Sequence, residues 1–179
     1  MLAAGLLAGS LVGLPACSPP YDWREVDAPG GEYRVQLPGK PAAMTRRIHL
    51  QDQAVDMTMQ GARVGENAFT VALAPLSASM SPERMLTAMR EQMLRNIGAP
   101  TTTVVAEVTV PIVAADGSKL GSQPAQEVVA QGTGSHAAMQ MHGRFMRWRD
   151  VALQIVAIGP DMDREQAEHF LASLRLVAR

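Results

Sequence analysis

Period-two alternation of apolar and polar residues recurs along this chain and pushes it toward half-buried strands. From Glu32 to Leu37, the residues Tyr33, Val35 and Leu37 share one face, and Glu32, Arg34 and Gln36 share the other. Val55, Met57 and Met59 are in phase across Ala54 to Gln60, as are Phe69, Val71 and Leu73 across Asn67 to Ala74. Trp23 to Val26 and Met44 to Leu50 read as two more strands. Thr101 to Val113, rich in β-branched residues, is another, followed by Ala125 to Gln131, His136 to Trp148 and Val151 to Ile158. Turn chemistry separates them at Pro29-Gly30-Gly31, Pro38-Gly39, Gln51-Asp52-Gln53, Asp116-Gly117, Gly132-Thr133-Gly134-Ser135 and Arg149-Asp150. Leu176-Val177 finish the chain as a short edge.

Two segments break this rhythm. Ser81-Pro82-Glu83 opens a helix: Ser suits the N-cap, Pro the first turn and Glu the positive end of the dipole. Met85, Leu86, Met89, Met93 and Ile97 follow at spacings of three and four, and Gly98 with Pro100 stops the run. Asp163-Arg164-Glu165-Gln166 matches a capping box, with Ala167, Phe170, Leu171 and Leu174 as the apolar stripe behind it. The order of several strands, a helix, four strands and a helix predicts an α+β fold in which two amphipathic helices cover an antiparallel meander.

The first charged residue is Asp22, although the chain carries 16 Lys and Arg and 17 Asp and Glu. Leu2 to Leu14 has the length of a signal h-region and falls short of the roughly 20 residues that span a bilayer. Only Met1 precedes it, so the basic n-region is expected upstream of this start. The leader ends in Leu14-Pro15-Ala16-Cys17, which resembles the bacterial lipoprotein signal: Leu at −3, a small residue at −1, then cysteine. Pro15 stands where that signal usually has Ala, Ser, Thr or Val. Ordinary secretory cleavage after Ala16 is a poorer fit, because it places bulky Leu14 at −3. The resemblance implies a signal peptide over 1–16, diacylglycerol on Cys17 and a short tether over 17–22 before one domain over 23–179. The chain is then anchored in the cell envelope facing the periplasm, and Ser18 after the cysteine points to the outer membrane.

Three further places resemble exported bacterial proteins of the PsbP-like α/β/α sandwich family. They are Tyr33 to Pro41, an alternating strand running into Pro-Gly-x-Pro; the helix after Ser81-Pro82; and the ending Gln166 to Leu176, with Phe170 and Leu174 docking the last helix. The resemblance spans 23 to 179. It implies a sandwich fold and an accessory role beside membrane-associated complexes, with no shared catalytic residues.

Composition narrows the chemistry. A net charge of −1 argues against a nucleic-acid binder, and one Cys excludes both an intrachain disulfide and a multi-Cys zinc site. No G-x-S-x-G elbow occurs, Gly132-x-Gly134 lacks a third Gly, and His49, His136, His142 and His169 form no ligand pair. Glu66, Glu107 and Glu127 read as separate surface carboxylates. The expectation is a non-catalytic protein without a cofactor or a metal. Arg144, Arg147 and Arg149 around Trp148 form the one local charge cluster, suited to anionic headgroups or an acidic envelope partner; by parity Arg144 and Trp148 share a face, and Arg147 and Arg149 the other. The alternative function is a copper or small-ligand binder built on Met139, Met141 and His142, with Met57 and Met59 recruited from a neighbouring strand. Because side chains alternate, Met139 and Met141 point away from His142.

Overall fold

The computed structural model describes residues 21–51, 53–100, 103, 105–133 and 138–178. The expected leader, Cys17, the start of the expected tether, Gly134, Ser135 and His136 lie outside the described residues. Before the first helix run β1 (Arg24–Asp27), β2 (Tyr33–Leu37), β3 (Ala42–Leu50), β4 (Gln53–Val64) and β5 (Asn67–Pro75). Helix α1 (Pro82–Ile97) follows, then β6 (Val105–Val113), β7 (Lys119–Gly132), β8 (Met139–Trp148) and β9 (Val151–Gly159). Helix α2 (Arg164–Ser173) and β10 (Arg175–Val177) complete the order.

The ten strands among the described residues join one sheet in the order β1-β2-β10-β6-β7-β8-β9-β5-β4-β3. The sheet is mixed, because β10 runs parallel to β6 and antiparallel to β2. Leu176 and Val177 are therefore not an edge: β10 lies third in the order and bridges the β1–β2 hairpin to the rest. Short strands carry no alternation long enough to reveal such a placement.

The expected α/β/α sandwich does not form. Strands hold 56% of the described residues and helices 17%, and the sheet curls into a half-barrel. Size explains the difference. Ten strands at about 4.8 Å make a sheet roughly 43 Å wide, whereas one helix is about 10 Å across. Two helices cannot form layers over that width, so the twisted sheet curls and buries its inner face against itself. Tyr33 Oη on β2 donates to Gln60 Oε1 on β4 at 3.0 Å, although six strands separate the two in the sheet order. Tyr21 and Trp23, stacked at 5.8 Å, both meet Phe69 of β5 edge-on.

The inner core gathers Tyr33, Val35, Leu37, Phe69, Val71, Val110, Met146, Leu153 and Ile155 around Phe170, Leu171 and Leu174 of α2. The predicted stripe of α2 is the buried one, and Asp163 caps it by accepting from the Gln166 amide at 3.0 Å. Ser173 Oγ accepts the Gln36 amide, fastening the helix to β2. Helix α1 packs on the outer face, over Ala72, Ala74, Val128, Met141, Phe145 and Val156. Its buried stripe holds Met85, Met89 and Ile97 as expected and adds Ala88 and Leu94, while Leu86 and Met93 are half-buried. Ser81 caps it and Gly98 ends it at φ 68°. Gly132 at the end of β7 passes so close to that terminus that a Cβ would lie 2.0 Å from the Ile97 carbonyl oxygen.

Candidate functional site

The β7–β8 register pairs Glu127 with Arg144, Val129 with His142 and Gln131 with Gln140. All six face inward, where α2 brings Arg164, Glu168, Leu171 and Ala172 opposite them. Between them lies an open groove of about 680 Å³. Arg144 Nε donates to Glu127 Oε2 at 2.6 Å, and its Nη1 donates to the Leu171 carbonyl at 3.0 Å, so one guanidinium ties both strands to the last turns of α2. Arg164 Nε donates to Glu168 Oε1 at 2.6 Å, one helical turn on, and holds that carboxyl below its ordinary range.

His142 is 6% exposed at the back of the groove. Burial lowers its pKa; Glu168 and Glu127 draw it partly back, and Arg164 opposes them. At neutral pH the imidazole is therefore neutral, with one donor and one acceptor nitrogen. Both carboxylates are engaged by arginines, and among the described residues the lining holds no Ser, Thr, Cys, Tyr or Lys. Alternating charges around a neutral imidazole suit the holding of a polar ligand more than an attack on it.

This site was not visible in the sequence. Glu127, read as a separate carboxylate, pairs with Arg144 only because the β7–β8 hairpin aligns them. The signal that could have found it is parity: Glu127 and Val129 alternate with buried Val128 and Ala130, and His142 and Arg144 share a face on the next strand.

The predicted charge cluster is divided. Arg144 braces the groove, as described, and Trp148 is a core residue, 8% exposed. The Trp148 indole nitrogen is buried without a hydrogen-bond partner among the described residues. Arg147 is exposed and donates to the Arg149 carbonyl at 2.9 Å. Arg149 departs from the parity expectation: it occupies the β8–β9 turn at φ 54°, which swings its guanidinium 5.1 Å over the Trp148 ring and onto the Val177 carbonyl. These four side chains do not form one patch. Cys17 lies outside the described residues.

The methionines regroup as well. Met141 is fully buried under α1 and Met139 packs nearby, on the face opposite His142. Met57 and Met59 share the outer face, but β4 stands three places from β8, about 14 Å away. They meet Met89 and Met93 of α1 instead, around a second groove of about 380 Å³. Among the described residues no three His, Cys, Asp or Glu side chains are grouped to hold a metal, and no helix is long and apolar enough to cross a membrane.

No family model and no curated protein matches this sequence.

Proposed function

We propose that this chain is a lipid-anchored, non-catalytic accessory protein of the bacterial envelope, which faces the periplasm and binds a membrane-associated partner through the groove between β7, β8 and α2. The observation that carries the reading is the charge-free leader ending in Leu14-Pro15-Ala16-Cys17. Acyl chains on Cys17 contribute about 0.8 kcal/mol per buried CH2, and several on one residue make a lasting anchor. The described globule begins at Tyr21, four positions later. At about 3.5 Å per extended residue the tether reaches roughly 14 Å, so the domain stays within contact distance of the headgroups. Ser18 favours the outer membrane as the destination. The groove supports the binding half of the reading: Val129, 55% exposed, stands among paired charges, offering an apolar contact within a polar frame.

Radiolabelled palmitate and detergent partitioning test the anchor. Cys17→Ser is expected to abolish both label and partitioning; a variant that keeps either one overturns it. A photo-crosslinker at Val129, used in intact cells, tests the groove. A discrete envelope adduct that disappears with Arg164→Glu is expected, and the same adduct pattern from a crosslinker at exposed Lys119 overturns the contact.

A further inference from the structure

The second groove lies on the outer face, between α1 and the β3–β4 hairpin, and plays no part in the proposal above. Its register is unambiguous. Arg46 pairs with Met57 and Ile48 with Val55, so the even-numbered residues of β3 share the face of Met57 and Met59. Leu50, Met57 and Met89 are 4% exposed or less and form the floor, while half-buried Ile48, Met59 and Met93 form the walls. Gln154, 7% exposed on β9, ends the apolar lining. Gln92 and Asn96 border it from α1, bonded to each other at 2.9 Å.

Four thioethers around one space invite a soft metal ion, but the charges oppose it. Among the described residues Arg46 is the only charged side chain in the lining and no carboxylate accompanies it; His49 also borders the groove, but strand alternation turns its side chain toward the opposite face, with Ala54. A fixed cation beside an apolar trough is complementary to an anionic head on an aliphatic tail. Methionine adapts its shape to flexible apolar partners. A volume of about 380 Å³ is near the lower end for ligand sites, which fits one chain and not the two of a phospholipid.

We propose that this groove binds a single-chain fatty acid, with its carboxylate at Arg46 and its tail along Met59 and Met93 over Met57 and Met89. The site does not depend on the anchor, so it can be tested in the full chain carrying Cys17→Ser. Dodecanoate is titrated into protein labelled at the methionine methyls. Saturable shifts are expected at Met57, Met59, Met89 and Met93, with Met141 unmoved. Arg46→Gln is expected to weaken dodecanoate about threefold to fivefold, the worth of one exposed ion pair, and to leave dodecanol unchanged. Met93→Gln, at a half-exposed position that spares the floor, weakens both. Absence of saturable shifts overturns the proposal, as does equal binding of dodecanoate by Arg46→Gln. Shifts of the four methyls with Ag(I) but not with dodecanoate overturn it in favour of a soft-metal site.

Discussion

Tyr33 and Gln60 stand second and ninth in the strand order, yet the phenol of one donates to the amide oxygen of the other at 3.0 Å. The bond closes the curl of the sheet. Both residues are buried, so neither partner has water to fall back on.

Tyr33→Phe leaves the Gln60 oxygen unpaired and is expected to cost about 1–3 kcal/mol. Urea unfolding checks this through a lower midpoint at unchanged slope. Burial, assisted by Glu32, raises the phenol above its ordinary value of about 10. Above that pH the unfolded chain releases a proton that the folded chain keeps, so stability falls as pH rises. The Tyr33→Phe protein should show a shallower alkaline decline.

His142 supplies the opposite sign. Its folded pKa is depressed, chiefly by burial, so below about 6.5 the unfolded chain takes up a proton that the folded chain resists. Stability present above that pH is lost as pH falls through it. Thermal melts between pH 7.5 and 5.5 should show a steeper acid decline in the wild type than in His142→Gln, and parallel profiles would refute the assignment.

Arg144 and Arg147 separate a brace from a solvated side chain. Arg144→Ala strands Glu127 and the Leu171 carbonyl; because the two paired side chains keep 18% and 26% exposure, about 2 kcal/mol is expected and not the full cost of a buried pair. Arg147→Ala should stay within about 0.5 kcal/mol. Chemical denaturation of the two variants side by side measures the difference.

Gly132 is required by space. A methyl there would meet the Ile97 carbonyl oxygen at 2.0 Å and the Ala99 nitrogen at 2.8 Å, both backbone atoms that cannot swing aside. Gly132→Ala should cost about 1–3 kcal/mol and loosen the end of α1 first. Faster amide exchange at Gly98 and Ala99, whose amides bond back to Arg95 and Leu94, would report it.

Local pattern was enough for much of this fold. Alternation placed β2, β5 and β9 within a residue or two, and capping chemistry placed the starts of both helices, because each depends on neighbours a few residues away. Strand ends were less legible: β4 and β7 extend beyond the expected Gln60 and Ala125, where Gly61, Gly121 and Pro124 interrupt the pattern yet pair within the ladders. The site was least legible: parity puts His142 and Arg144 on one face of β8, but no local spacing brings Glu127 and Glu168 to them, because the four meet only across a hairpin and a helix.

The sequence by itself determined which segments are strands and helices and which faces they bury. Only the tertiary structure decided that the sheet curls around Phe170 and its neighbours, that β10 enters the middle of it, and that the arginines part company while the methionines regroup. Periodicity encodes the direction of a side chain relative to its own backbone. Strand order and curvature arise from how a wide twisted sheet, with two helices among the described residues, removes its remaining apolar face from water, and that depends on all the strands together.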